Sequence, residues 1–278
     1  MDQLSPFFAR FTLFAHVFYS GRLCGSSGDH QTERAGHLHV LRSGKLQILQ
    51  LGRKPRTIEE PSALFYPRPM PHRFQADETQ GADLVCARVE LGAGMLNPLV
   101  ISMPEMLVVP LASAKALAPA ADLLFAEAFG EELGREAAVD RLSEYFLVLL
   151  LRAALNEQVL KCGVLNGLGD PRISKAMAAM HAHPERPWSL NELASLAGMS
   201  RPRFAQYFHE VVGVTPFSYL TDWRIGVAQH MLRKGEPLKM VAPAVGYSAS
   251  TAFSRAFSDR TGVSPMEWLT HDRARADG

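Results

Sequence analysis

Arg201, Arg203 and Gln206 fall within a stretch of six residues that includes Pro202 and is followed directly by Tyr207. Arg and Gln are side chains that can hydrogen-bond base edges in the major groove of DNA. The stretch belongs to a duplicated unit. Measured from Phe204, the chain has Phe208 at +4, Gly213 at +9 and Pro216 at +12; from Phe253 it has Phe257, Gly262 and Pro265 at the same offsets, 49 residues later. Around the second anchor, Ser248, Ser250, Thr251, Ser254 and Arg255 are the polar side chains expected to face outward. Core packing alone does not require the same Gly, cap and Pro spacing twice.

A second chemistry lies upstream. Cys24, beside Gly25 and near Arg22, has the setting of a thiol that an oxidant reaches, with Cys86 as the thiol that resolves it in a disulfide. The alternative is that both are inert packing residues. His37, His39 and His72 are a third set. Alternate residues of a strand point to one face, so an H-x-H pair with a later His is either a divalent metal site or a structural histidine cluster. No acidic residue follows the pair, Leu41 and Arg42 standing there instead, and Cys24 or Cys86 is a further candidate ligand.

Positioning these residues requires two kinds of element. Phe11 to Tyr19, His37 to Leu41, Leu46 to Leu51, Ala63 to Tyr66 and Leu84 to Leu91 are short apolar stretches separated by Gly44, Gly52, Gly81 and Gly92, which predicts a small β-barrel or jelly roll. Ala121 to Phe129 and Asp140 to Leu160 predict two helices, free of internal Pro and Gly. The second is apolar on more than one face, which suits either a homodimer interface or burial against its own β domain.

Each duplicated unit reads as a helix, a tight turn and a second helix. In the first, Ser189 and Glu192 form a capping box ahead of Leu190, Leu193, Ala194 and Ala197; Gly198 permits the turn, and Ser200 caps the next helix with Pro202 in its first turn. In the second, Leu238, Val241, Ala242 and Val245 form the supporting helix and Gly246 the turn, with Pro243 either in an early turn of the helix or kinking it. A helix from Pro216 to Arg233, capped by Thr215 and with Phe217, Leu220, Val227 and Met231 inward, joins the units.

The chain has 278 residues, 47% hydrophobic and 21% charged, with a net charge of +1. Residues 170 to 278 hold 13 Lys+Arg against 10 Asp+Glu, net +3, and the rest 16 against 18, net −2. Three cysteines, Cys24, Cys86 and Cys162, do not make a secreted disulfide framework, and no apolar run approaches a bilayer span, so a cytoplasmic protein without membrane contact is expected. No P-loop, dinucleotide motif or acid/base pair is present, and no enzyme is expected; a metal-dependent enzyme fused to a DNA anchor would rest on the three histidines alone.

The strings Leu193-Ala194 through Gly198-Met199-Ser200, Phe204 to Phe208, Gly213-Val-Thr-Pro216, Trp223-Arg224, Gly246-Tyr247 and Ser254 to Phe257 through Gly262-Val-Ser-Pro265 resemble the AraC/XylS family of transcription regulators. The resemblance implies double-stranded promoter DNA as partner, with two recognition helices in successive major grooves, and RNA polymerase as a further partner if the protein is an activator. The front half, through Ser20-Gly21, Leu23-Cys24-Gly25, His37 to Gly44, Phe65 to Pro69, Pro71-His72-Arg73 and Leu84-Val85-Cys86, resembles the cupin-type sensor domains of the branch associated with reactive chlorine and electrophile stress. The two resemblances together with the pattern of elements predict a cupin-like sensor over residues 1–118, a helical, dimer-forming segment over 119–162, a linker at 163–170 and the DNA-binding domain over 171–278. The fold class is therefore α+β with two domains.

Overall fold

The computed structural model describes residues 13–28, 35–92, 103–156 and 163–276, with Ser5, Phe8, Asn97, Leu99 and Val100. Two compact units emerge. One holds Leu13–Glu90 and Met103–Val159, and the other is built on Leu160–Gly278.

In the first unit, strands β1 (Leu13–Leu23), β2 (Gly36–Gly44), β5 (Ser62–Tyr66), β7 (Ala82–Leu91) and β8 (Leu107–Pro110) form a sheet in the order β1-β7-β2-β5-β8. Strands β3 (Leu46–Leu49), β4 (Arg56–Ile58) and β6 (Arg73–Ala76) form a second sheet in the order β4-β3-β6. Leu41, Leu64, Leu84 and Cys86 of the first sheet pack with Leu46, Ile48, Ile58 and Phe74 of the second, so the core lies between the sheets. The sandwich agrees with the predicted all-β pattern. Strands β4, β6 and β8 carry only three or four residues each, too few to show an alternation in the sequence.

Helices α1 (Leu117–Ala128) and α2 (Arg135–Asn156) pack on this unit against β1, β2 and β8. That cover explains why β2 is buried at every position from Gly36 to Leu41 rather than at alternate ones. Phe146, Leu147, Leu150, Leu151 and Ala154 are all buried here, so the apolar surplus of α2 is used within the unit. The predicted end of this helix, 157–160, and Cys162 lie outside the described residues, as do Phe11 and Thr12 at the start of the first predicted strand.

Asp83 ties three segments of the sheet edge together. Its carboxylate accepts from Arg22 Nε at 2.9 Å, from an Arg42 terminal nitrogen at 3.0 Å and from the Ser43 hydroxyl at 2.9 Å. The Arg22 bond is the main cause that holds its carboxyl down to about 2, against the opposing effect of burial. A carboxyl depressed from 3.8 stabilises the fold fully above that pH and ceases to do so as pH falls through about 2. With both arginines half-exposed, Asp83→Asn should cost about 1–2 kcal/mol at pH 7 in urea unfolding, and the two proteins should converge near pH 2.

The second unit is helical. Helices α3 (Val164–Gly169), α4 (Ile173–Ala182), α5 (Leu190–Leu196), α6 (Arg201–Val212), α7 (Pro216–Arg233), α8 (Leu238–Ala244), α9 (Ser250–Thr261) and α10 (Pro265–Ala276) follow in order. Residues 163–170, predicted as a linker, are instead helix α3 and its cap. Val164, Leu165 and Leu168 are buried, and the Gly163 N–H donates to the Val211 carbonyl of α6 at 2.9 Å. Three glycines in nine residues suggested flexibility, but Gly167 is a packing site, where a Cβ would stand 2.6 Å from the Met177 sulfur.

Candidate nucleic-acid interface and sensor sites

Local signals build the first reading unit as the sequence implies. The Ser189 hydroxyl accepts from the Glu192 N–H while the Glu192 carboxylate accepts from the Ser189 N–H, closing the capping box at α5. The Ser189 N–H, the larger cause, and the Ser189 hydroxyl donate to the Glu192 carboxylate at 2.8 and 2.7 Å and, with Arg186 beside them, hold that carboxyl down to about 2. Gly198 turns the chain with φ +66°, and Ser200 stands at the N-cap of α6 with Pro202 in the first turn, although the serine side chain makes no capping bond.

Helix α6 divides into two faces. Phe204, Phe208 and Val212 are buried, whereas Arg201, Pro202, Arg203 and Gln206 are exposed. Gln206 donates to Glu210 at 2.8 Å, and Arg203 approaches the same carboxylate at 3.8 Å. Tyr207 departs from the outward reading. It is half-buried, its hydroxyl donates to Asp170 at 2.7 Å, and the guanidinium groups of Arg172 and Arg203 lie over its ring at 4.6 and 5.1 Å. Tyr207 therefore anchors α6 and supports Arg203. Asp170 stands 37 positions away, so no local pattern announces this contact.

Helix α9 repeats the arrangement. Phe253 and Phe257 are fully buried with ring centroids 5.6 Å apart at 61°, the same values as Phe204 and Phe208. Gly213 and Gly262 end the two helices in matching left-handed conformations, φ 85° and 79°. On the outer side Ser248, Thr251 and Arg255 are exposed, and Ser250 and Ser254 half-buried. Pro243 neither opens α8 nor kinks its centre. It is the penultimate residue, so the bond it cannot make would fall on the exposed Lys239 carbonyl, which water can satisfy.

Helix α7 binds both units. Arg224 donates to the Pro184 carbonyl at 2.6 Å and the Arg186 carbonyl at 2.8 Å ahead of the first unit, while Arg260 of α9 pairs with Asp222 at 3.2 Å and donates to Ser218 at 3.0 Å. Gly246 marks the closest approach: a Cβ there would meet the Arg224 guanidinium at 2.7 Å and the Glu185 carbonyl at 2.9 Å. Leu220 and Val227 are buried as predicted and Met231 half-buried. Phe217 is instead 45% exposed, because it follows Pro216 in the first turn, off the buried stripe of Tyr219, Leu220 and Trp223.

In the sheet-rich unit the two thiols occupy unlike settings. Cys24 is exposed and Cys86 buried, and both are free. Burial pushes the Cys86 thiol well above its ordinary range. The Cys24 sulfur rests against Gly81, where a Cβ would lie 2.9 Å from it. Cys86 lies four residues beyond Ala82 along β7, about 13 Å of extended strand. Tyr19 lies within electrostatic reach of both sulfurs. Arg22, next but one to Cys24, is engaged by Asp83.

The histidines converge. His37 and His39 lie two apart on β2, and His72 immediately precedes β6, so the cluster joins the two sheets. All three are buried, and one ligating nitrogen from each lies within 4.8 Å of the others.

A family model described as Cupin matches residues 2–156, more than half the chain, and one described as Helix-turn-helix domain matches residues 193–271. The chain is 27% identical over 265 residues to an uncharacterized HTH-type transcriptional regulator of Haemophilus influenzae, which spans 86% of this chain and 88% of that one. It is 40% identical over 110 residues to a putative AraC-like transcription regulator of Streptomyces antibioticus, 39% of this chain and 36% of that one. It is 26% identical over 243 residues to the RCS-specific HTH-type transcriptional activator RclR of Escherichia coli, 86% of this chain and 85% of that one. With a cupin domain in front and paired helix-turn-helix units behind, the chain belongs to the AraC family of DNA-binding transcription regulators.

Proposed function

We propose that this protein is a one-component regulator that binds specific promoter sequences through α6 and α9 and changes that binding when Cys24 is oxidised. The duplicated, phenylalanine-anchored helix carries the DNA half of the reading. Two helices of one geometry each expose polar side chains able to reach base edges, and α7, about 27 Å long, spaces them on the scale of one duplex turn of about 34 Å. Selection from a promoter library at fixed salt should recover a defined set of sites. Uniform weak affinity for every sequence would refute sequence-specific reading.

The redox half rests on the exposure of Cys24 and on the similarity to a relative named as an RCS-specific activator. The Cys24 thiolate attacks the chlorine of hypochlorous acid, forming an S–Cl bond and releasing hydroxide. The Cys86 thiol then displaces chloride and loses its proton, so one disulfide forms and the oxidant is reduced by two electrons. Because the resting sulfurs are not neighbours, closing that bond requires β1 and β7 to shift, and this shift is the signal. Cys24→Ser should abolish the response to oxidant while leaving DNA affinity unchanged, and Cys86→Ser should trap oxidised Cys24 without the disulfide. A full response in Cys24→Ser, read by gel shift with and without oxidant, would move the signal to a small molecule bound by the cupin domain. In this reading the protein works in the cytoplasm as a homodimer, for which Leu123 and Tyr145 remain exposed on α1 and α2, and as an activator it would contact RNA polymerase.

A further inference from the structure

We propose that Arg224 is a positioning residue that locks the two reading units at one separation and rotation, and so sets the spacing between the two half-sites that the protein accepts on DNA. The inference rests on the reading of two grooves by α6 and α9. A duplication by itself supplies two equal units, but their turns are not equal. Gly198 and Gly246 both take the left-handed conformation, with φ +66° and +85°. A Cβ at Gly198 would meet nothing within 4 Å, whereas at Gly246 it would meet the Arg224 guanidinium at 2.7 Å and the Glu185 carbonyl at 2.9 Å. The turn of the second unit is therefore seated on the loop 183–188 that leads into the first, too closely for any side chain to stand between them.

Arg224 closes that seat. Its Nε donates to the Pro184 carbonyl at 2.6 Å and a terminal nitrogen to the Arg186 carbonyl at 2.8 Å, while its guanidinium carbon lies 5.8 Å from the Tyr247 ring. The loop is itself braced. Trp188 donates through Nε1 to the His183 carbonyl at 3.0 Å and through its N–H to the Arg186 carbonyl at 2.9 Å, with the Arg186 guanidinium over its ring at 4.3 Å. Because the loop runs directly into the Ser189 cap of α5, holding it orients the first reader. Tyr247 in turn meets Phe253 of α9 with ring centroids 5.7 Å apart, so holding it orients the second.

Other contacts of α7 serve one unit each. Tyr219 and Trp223 take His181 of α4, at 2.5 Å to the Tyr219 oxygen and 3.8 Å between the stacked rings of His181 and Trp223. Ser218 and Asp222 take Arg260 of α9. Each pair is spaced i, i+4 along its own stripe of the helix, and a unit held along one stripe can still roll about the rod. Arg224 removes that freedom by bonding one unit while touching the other. Its acceptors are neutral carbonyls in two directions, which a planar guanidinium meets at once and an ammonium does not. One base pair moves a half-site by about 3.4 Å along the duplex and about 35° around it, so locked readers tolerate little change in spacing.

The test uses the full chain and duplexes built on a site selected from the promoter library. These are the intact site, the site with either half scrambled, and the site with one or two base pairs inserted or removed between the halves. Fluorescence anisotropy should give a wild-type optimum at the native spacing, with a loss of about tenfold or more for one base pair, because the second reader binds as a tethered partner whose geometry must match. Arg224→Lys keeps the charge and the buried Trp223 and Val227 of α7. It should lower affinity for the intact site, shrink the one-base-pair penalty to about twofold, and leave the single-half duplexes bound as by the wild type. Gly246→Ala should shrink the penalty likewise, whereas Gly198→Ala, which carries similar backbone strain into open space, should keep it. A full penalty in Arg224→Lys and Gly246→Ala overturns the lock and leaves the two-groove reading standing. Equal losses on every duplex in both variants make Arg224 a general support of the fold and also overturn it. A wild type that loses affinity when either half is scrambled but tolerates every spacing overturns the lock alone; one indifferent to both changes overturns the two-groove reading with it.

Discussion

Phe257→Ala will lower the stability of the helix-turn-helix unit by about 3–5 kcal/mol, the range for emptying a fully packed aromatic position. Phe257 has no exposed surface and touches both Phe253 and Trp268, with ring centroids 5.6 and 5.9 Å away. Its loss removes one ring that joins α9 to α10. Urea unfolding measures the loss, and Phe257→Leu, which refills most of the volume, should recover the larger part. A cost below about 1 kcal/mol would mean that the anchor is not packed as described.

Arg203→Ala and Arg255→Ala should each weaken binding to the selected promoter sites by about 1–3 kcal/mol, if each arginine reads a base. Because the two lie on separate helices, α6 and α9, the double variant should lose the sum to within about 0.5 kcal/mol. Fluorescence anisotropy on specific and scrambled duplexes separates two roles. A base contact loses affinity only for the specific duplex, and a phosphate contact loses it for both and reduces the salt dependence. Arg203 carries a further requirement, since its guanidinium rests on the Tyr207 ring, so Tyr207→Ala should impair it more than Tyr207→Phe, which keeps the ring and loses only the hydroxyl bond to Asp170.

The reader helices were legible in the chain because their determinants are short-range. A capping box spans four residues, an i, i+4 phenylalanine pair one helical turn, and a turn glycine only its own φ; all of these survive unchanged from Ser189 to Gly213. The same economy made α7 legible apart from Phe217, whose place in the first turn shifts it off the buried stripe. Pro243 was legible as a helix breaker, but its tolerance depends on how close the helix end lies, a boundary that α8 sets by packing.

What the sequence alone determined was thus the duplicated reading device and the division between β-rich and helical segments, because propensity, caps and periodicity act over a few residues. The tertiary structure decided which distant residues meet. Folding brought His72 to His39 across 33 positions yet left Cys24 exposed and Cys86 buried, and packing turned the expected linker into a helix whose following Asp170 holds Tyr207. Side chains that lie far apart in the chain meet only when sheets and helices choose their pairings, and that choice is made by the whole buried core at once.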